Sequence, residues 1–482
     1  MPSKKVRIRF EGTTLECRAD TTVAAALWEN GVRHLSHSPK YGRPRGLTCA
    51  RGHCTACLMR VDRIPNVRTC ELPVREGMEV ARQDAGAFYA APMQKILAAG
   101  SRFFPVGFYY KWFTRPPFLS RTFLDGIRPM TGVGRLPGKD TAVLALPSES
   151  HPSEADEATP SDLGRFDTVV VGAGPAGLRA AATAEGKVLV LDDHDLPGGQ
   201  RQGALRLLAD RPDGNLARFP VLKSSLERID KAREELAARD DLTFLARTRA
   251  IAGYNPDSLV LRRDDQLMSV RFDHLVWAAG ALDTLGLFAG NDTPGVLGPR
   301  ALYRLLVRDG LQIAGRQALV IGDGPDFWLV AALLDAAGAR LSLVLAGTGG
   351  SDEISAAVDL KWPLNTGLEL EEIAARGDGG LKASFVPGSA ENRTAGARLA
   401  MEADLAVICG RGKPAYDIPY QLGADLALQP GLGGFTLRSA GEPDSGAVTT
   451  VLSHGSRLTV VGEACGQLPG RHHRSAGEVT LP

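Results

Sequence analysis

The sequence is short of charge of one sign, of cysteine and of long apolar runs, and each shortage excludes something. Its 56 Lys and Arg residues meet 55 Asp and Glu, a formal net charge of +1, so no basic surface for nucleic acid is expected. Seven cysteines in 482 residues, four of them grouped, point to a reducing compartment. The most aromatic segment, Phe103 to Phe118, is broken by Lys111, Arg115 and three prolines, so no membrane span is expected there. Met1 to Phe10 carries basic residues without the apolar core of a signal peptide. A cytoplasmic location is the expectation, and no solenoid-type repeat is visible.

What is present begins with the grouped cysteines. Cys49, Cys54, Cys57 and Cys70 follow the order Cys-x4-Cys-x2-Cys-x12-Cys in a polar, glycine-containing loop. A 2Fe-2S cluster needs four thiolates converging on two irons, and this spacing supplies them from one loop and one strand end. Gly46 and Gly52 suit a backbone that bends tightly and turns N–H groups toward sulfur. A structural zinc site or reduced bystander cysteines are the alternatives; zinc sites usually come as paired Cys-x2-Cys knuckles, which favours the cluster. Around the loop, Lys5 to Phe10 alternates as a strand, Glu11-Gly12-Thr13 reads as a turn, Thr14 to Arg18 as the return strand, and Thr21-Thr22 as a helix start. Cys17, Cys409 and Cys465 read as core packing.

The length allows about three domains. Composition shifts between Gly138 and Gly164, where Ser148 to Ser161 is polar, acidic and aperiodic, as in a linker. An apolar strand, Phe166 to Val171, then leads into Gly172-Ala-Gly174-Pro-Ala-Gly177, a helix, a second strand and Asp192. In that context the glycines serve a tight turn, close approach to a pyrophosphate and close helix packing, and an acid about twenty residues on accepts from the ribose. The helix N-terminus faces the phosphates. Pro197-Gly198-Gly199-Gln200, with Arg201, resembles a loop that lies along the cofactor in two-dinucleotide flavoproteins. Leu275 to Ala281 resembles their ATG-type strand end, with Ala279 in place of the usual Thr and Gly280 letting backbone pass close to the cofactor. Thr243 to Ile251, including Ala250, resembles the strand whose backbone meets adenine.

A second nucleotide-type unit starts at Gln317, with Gly322-Asp-Gly324-Pro, a helix from Phe327 and a strand Leu341 to Leu345. Phe327 takes the third glycine position, and no acid ends the second strand. A structural remnant and a working nicotinamide-dinucleotide site both remain open.

The N-terminal region resembles the 2Fe-2S part of the heteromeric amine and imino-acid dehydrogenases. That group includes hydrogen cyanide synthase, opine dehydrogenases, dye-linked proline and hydroxyproline dehydrogenases and heterotetrameric sarcosine oxidase. The resemblance is carried by Lys40 to Gly46, Asn66 to Cys70, Val74 to Met78, Phe104 to Lys111, Gly132 to Pro137 and Gly410 to Gln421. It implies an electron-transferring large subunit for a secondary amine, imino acid or opine. The substrate is oxidised in a separate D-amino-acid-oxidase-like flavoprotein β subunit, while an FMN is held at the interface, and electrons leave through the cluster to a quinone or another acceptor. The chain's own residues agree, with no third fingerprint and no clear acid-base dyad; His472-His473 reads as a solvated tail.

Val460 to Glu463 resembles the strand and acidic position that approach a flavin ribityl chain, with Gly462 and Glu463 as site residues. The polar tail from Gly470 lacks the apolar helix that normally follows. The first site is therefore expected to hold FAD or another ADP-containing nucleotide such as NAD or ATP.

The expected architecture is α/β. A β-grasp-like 2Fe-2S ferredoxin domain (1–85) and an aromatic connector and linker (86–165) precede a two-dinucleotide-binding Rossmann-type flavoprotein fold. Its FAD/ADP domain is 166–311 plus 404–482, with a degenerate NAD(P)-type domain (312–403) inserted. The aromatic run Phe103 to Phe113 is expected to meet a partner. Two other readings are a self-contained NAD(P)H-dependent ferredoxin reductase-like flavoenzyme and a structural nucleotide-binding subunit.

Overall fold

The computed structural model describes residues 4–38, 43–83, 118, 160–211, 215–253, 255–264, 266–347, 350–388, 398–410, 412–429, 434–437, 447–452 and 455–465. The expected aromatic connector and linker (86–165), apart from Phe118 and residues 160–165, lie outside the described residues, as does the tail with His472 and His473.

Strand β1 (Lys5–Phe10) buries every second residue, Val6, Ile8 and Phe10, as period-two alternation requires. Glu11 and Gly12 both have positive φ, 48° and 88°, which matches the twist of a two-residue hairpin into β2 (Thr13–Arg18). Helix α1 (Val23–Glu29) buries all of Val23 to Trp28, so its apolar residues cover more than one face. With β3 (Leu58–Val61), β4 (Ile64–Arg68) and β5 (Glu79–Ala81) the sheet order is β2-β1-β5-β3-β4, and β5 runs parallel to β1. This is the expected β-grasp.

The second sheet is built on β6 (Ser161–Val171), which begins five residues before the expected Phe166. It continues through α2 (Pro175–Thr183), β7 (Val188–Leu191), α3 (Gln202–Ala209), α4 (Pro220–Ala237) and β8 (Leu242–Leu245). Then come β9 (Thr248–Ala252), β10 (Ser258–Arg263) and the long β11 (Gln266–Trp277). The order is β8-β7-β6-β11-β10-β9. β11 divides its outer edge, pairing antiparallel with β10 over its first half and parallel with the C-terminal strand Arg457–Val461 over His274 to Trp277. Parallel strands β6 and β11 thus meet at the point where the chain order reverses, the usual place for a ligand crevice.

The third sheet is parallel, with Val296–Leu297, Leu405–Cys409, Gln317–Gly322, Arg340–Leu345 and Leu364–Thr366 in that order. It includes helices α5 (Pro299–Val307) and α6 (Gly324–Ala336). The second Rossmann unit therefore extends past 312–403 at both ends, because Val296–Leu297 and Leu405–Cys409 pair with each other. The expected single strand Thr243 to Ile251 is also corrected. It is two strands, β8 and β9, separated by a turn in which Arg247 takes φ 51°. Ala250 lies on β9 in the antiparallel layer, paired with Leu261. No helix among the described residues is long and apolar enough to cross a membrane.

A buried ion network joins the two Rossmann units. Arg201, at the start of α3, grips Asp326 in the first turn of α6 with two hydrogen bonds of 2.6 and 2.8 Å and reaches Glu463 at 2.9 Å. Arg300 of α5 pairs with Asp283 at 2.9 Å and also with Glu463, and the Tyr303 hydroxyl donates to Asp326 at 2.7 Å. Burial would raise the Asp326 carboxyl, but Arg201 and Arg300 outweigh it and hold it far below its ordinary range. The helix dipoles assist, since Asp326 sits at the N-terminus of α6 and Asp283 accepts from the Ala301 N–H of α5 at 3.1 Å. Removing a partner from such a network leaves an uncompensated buried charge. Arg201→Met is expected to cost about 3–5 kcal/mol of stability, read as a lowered denaturant midpoint; a change within about 0.5 kcal/mol would show that the network does not bind the units.

Candidate functional site

The four cysteines converge. Cys57 and Cys70 are buried at 1% exposure, while Cys49 and Cys54 are partly open. Backbone N–H groups point at two of the sulfurs: Arg51 and Cys54 at Cys49 Sγ, both 3.4 Å, and Gly52 at Cys70 Sγ, 3.3 Å. Hydrogen bonds from the Cys54 and Cys70 thiols hold the Cys49 thiol far below its ordinary range, and the same bonds, with burial, push Cys54 and Cys70 up. The thiols thus act as one set sharing protons, the donor chemistry that two irons would take over.

The two loop glycines are explained. Gly52 has φ +70°, and an added Cβ would run into the Glu71 carboxylate. A Cβ at Gly46 would lie 2.8 Å from Pro294 Cα, so here the cysteine loop presses on the second Rossmann unit. The loop is braced from α5 as well. Arg308 donates to the carbonyls of Cys70 at 3.0 Å and Ala50 at 3.4 Å, and Arg18 donates to those of Asp309 and Gly310. Cys17 and Cys409 are buried in the core, and burial pushes the Cys17 thiol up to about 11; the Cys465 side chain lies outside the described residues.

At the first fingerprint the three glycines differ in cause. A Cβ on Gly172 (φ +99°) would collide with the Ala278 carbonyl, and one on Gly177 with the Gly172 carbonyl. These two are demanded by the fold. A Cβ on Gly174 would meet only Gly199 Cα at 3.8 Å, ordinary contact, so protein packing does not explain that glycine. Gly280 (φ +71°) likewise faces nothing within 4 Å. The Gly198 N–H ties its loop to the fingerprint through Ala173 O at 2.8 Å. The buried Gln200 Oε1 finds no hydrogen-bond partner. Helix N–H groups without a side-chain cap and an unexplained glycine fit a pyrophosphate-bearing nucleotide such as FAD at the N-terminus of α2, and the orphaned Gln200 oxygen fits a hydroxyl donor of the same molecule.

Three expected site residues behave differently from the expectation. Asp192 turns inward, its carboxylate accepting from the Ala173 N–H at 2.6 Å and from the His194 N–H at 2.9 Å, so part of its capacity is taken before any ribose arrives. Arg201 and Glu463 are engaged with each other and with Asp326 and Arg300, because the junction between the units needs balanced charge. Gly462 does lie against the site, for a Cβ there would come 2.7 Å from Ala176 Cβ in the first turn of α2. In the second fingerprint Phe327, at the third glycine position, is fully buried with its ring 4.9 Å from that of Trp328. Asp326 adds negative charge where a second pyrophosphate would approach α6, which weighs toward the structural remnant.

Sequence reasoning missed Arg51, Asp193 and His194. Arg51 lies 2.8 Å from Asp193, although 142 residues separate them. Asp193 also meets His194 Nδ1 at 3.0 Å and Arg249 at 3.5 Å. Burial would lower His194, yet Asp192 and Asp193 outweigh it and raise it to about 9. The one visible signal was the polar run Asp192-Asp193-His194 directly after a buried strand.

Gly174→Ala should fold normally and lose nucleotide affinity at least about tenfold by calorimetry, whereas Gly177→Ala should lower the thermal midpoint; equal effects would contradict the separate causes. His194 is raised in the folded state, so its stabilising contribution is complete below about pH 6.5 and is lost as pH climbs through about 9. Stability measured across that window should fall more steeply in the wild type than in His194→Gln.

Comparison with known proteins agrees with this geometry. Residues 3–85 match the 2Fe-2S iron-sulfur cluster binding domain family. The alpha subunit of sarcosine oxidase from Rhizobium meliloti is 28% identical over 353 residues, covering 68% of this chain and 33% of that protein. An opine oxidase subunit of the same organism is 33% identical over 192 residues, covering 39% of this chain and 40% of its own length. The chain spans roughly a third of the length of the sarcosine oxidase subunits it matches. L-proline dehydrogenase from P. horikoshii shares the fold, with a TM-score of 0.55 at 17% identity over 96% of this chain and 69% of that one. The chain is thus similar to these large subunits of sarcosine oxidase and opine oxidase over part of their length, and it carries an N-terminal 2Fe-2S cluster binding domain.

Proposed function

We propose that this chain is the electron-transferring part of a flavin-dependent dehydrogenase or oxidase acting on a secondary amine, imino acid or opine. Cys49, Cys54, Cys57 and Cys70 hold a 2Fe-2S cluster, which supplies one-electron transfer. The first fingerprint, with Gly172, Gly174, Gly177, Gly198, Gly199, Gln200 and Gly280, holds FAD or another ADP-containing nucleotide. Substrate oxidation belongs to a D-amino-acid-oxidase-like partner, with an FMN at the interface, and a quinone or another carrier accepts the electrons. A cytoplasmic setting suits cysteines that must stay reduced to hold a cluster.

One observation carries this reading: the cysteine loop is packed against the nucleotide-binding part rather than tethered beside it. Arg308 binds two carbonyls of the loop region, and Arg51 pairs with Asp193 at the end of the first nucleotide unit's second strand. The chain's residues therefore keep a cluster at a fixed place relative to the nucleotide, which positioning for electron transfer requires. The names of the relatives, each that of one subunit, support the partner requirement.

Purified chain should contain about two irons and two labile sulfides, and Cys54→Ser should lose the visible absorbance while the flavoprotein part stays folded. Zinc, or four irons, would overturn the cluster assignment. With an artificial dye the chain alone should leave sarcosine, proline and opines unoxidised until the partner is added; turnover by the chain alone would overturn the division of labour.

A further inference from the structure

Five contacts lead from a cysteine of the proposed cluster to the nucleotide fingerprint. The Arg51 N–H lies 3.4 Å from Cys49 Sγ. The guanidinium of Arg51 is 2.8 Å from Asp193, Asp193 is 3.0 Å from His194 Nδ1, and His194 Nδ1 is 2.8 Å from Asp192. Asp192 then accepts from the Ala173 N–H, between the first two fingerprint glycines, at 2.6 Å. The Arg51 and Asp193 side chains are only 17% and 12% exposed, so the pair is much less screened than a surface ion pair. A second tie runs alongside, for Arg249 reaches both Asp193, at 3.5 Å, and Glu71, next to Cys70, at 3.1 Å.

This arrangement sets the cysteine loop against the ribose end of the first site, since the acid that ends the second strand of a nucleotide unit is the one that receives ribose hydroxyls. Resting on the reading of the two sites given above, we propose that Asp193 is a positioning residue that couples them. The carboxylates of Asp192 and Asp193 serve the nucleotide on one side and the cysteine loop on the other. A ribose hydroxyl that donates to the Asp192 carboxylate competes for the oxygen now holding His194, and His194 is shared with Asp193, which holds Arg51. A displacement of Arg51 that reaches its backbone moves its N–H relative to Cys49 Sγ, and hydrogen bonds to the ligand sulfurs are among the determinants of a cluster's reduction potential. Filling the nucleotide site is thereby felt at the cluster, and by linkage the cluster's oxidation state is felt in nucleotide affinity by the same factor.

The test uses the full chain with its cluster, freed of nucleotide, and ADP as the probe. In the wild type, ADP should give a saturable change in the cluster's visible circular dichroism and electron paramagnetic resonance. Its affinity for oxidised and dithionite-reduced protein should differ by a factor of about five or more, a tenfold factor corresponding to about 59 mV for a one-electron couple. Asp193→Asn should keep cluster and ADP binding but bring that factor to about one. Arg51→Gln, which retains the backbone N–H and removes the guanidinium, should do the same. ADP binding that leaves the wild-type cluster spectrum and potential unchanged overturns the coupling alone. Wild-type coupling in both variants overturns the role of Asp193. A chain that holds no iron, or binds no adenine nucleotide, overturns the reading of the sites and this inference with it.

Discussion

A loop that turns its N–H groups onto sulfur cannot also use them in a sheet, and that constraint governs how this molecule is put together. The segment from Gly46 to Cys57 gives the N–H groups of Arg51, Gly52 and Cys54 to Cys49 and Cys70 and forms no strand or helix. Its rigidity comes from outside. Arg308 binds the carbonyls of Ala50 and Cys70, Arg51 is anchored on Asp193, and Gly46 lies against Pro294. Side chains of α1 and of α5 and α6 belong to one continuous buried cluster, so the ferredoxin-like module and the flavoprotein part share core rather than merely touching. Such a shared core favours a fixed cluster over a swinging one.

Charge is handled with the same economy of partners at the junction of the Rossmann units. Two arginines and a tyrosine hydroxyl serve three carboxylates, and two helix N-termini share the load. Arg201 and Glu463 lie beside the nucleotide site, and their mutual pairing fixes the backbone around it: Glu463 follows Gly462, which touches α2, and Arg201 follows Gln200. The ion network therefore works on the cofactor site through position more than through direct contact.

The second Rossmann unit keeps its strand-helix-strand fold although Phe327 stands at the third glycine position of its fingerprint. Its strand, helix and strand pack as the pattern requires, with Gly322 kept because a Cβ would strike the Cys409 carbonyl. Phe327 is buried against Trp328, and Asp326 is paired with Arg201 at the N-terminus of α6.

Local pattern determined much of this protein before any tertiary contact was considered. Alternation in Lys5 to Phe10, the Glu11-Gly12 turn and the apolar stretch of α1 set the β-grasp elements, and strand-glycine-helix order set both Rossmann units, because these features depend on neighbours a few residues away. Cysteine spacing likewise marked Cys49, Cys54, Cys57 and Cys70 as one group, and the fold brings them together. What only the tertiary structure decided was who meets whom across long separations: that Arg51 finds Asp193 and Arg201 finds Asp326 and Glu463. It also decided that Val296–Leu297 and Leu405–Cys409 join the second unit's sheet and that Thr243 to Ile251 breaks into two strands. The physical reason is that a charged residue looks alike in sequence whether it faces water or a partner. Burial in the assembled core is what forces it to choose one.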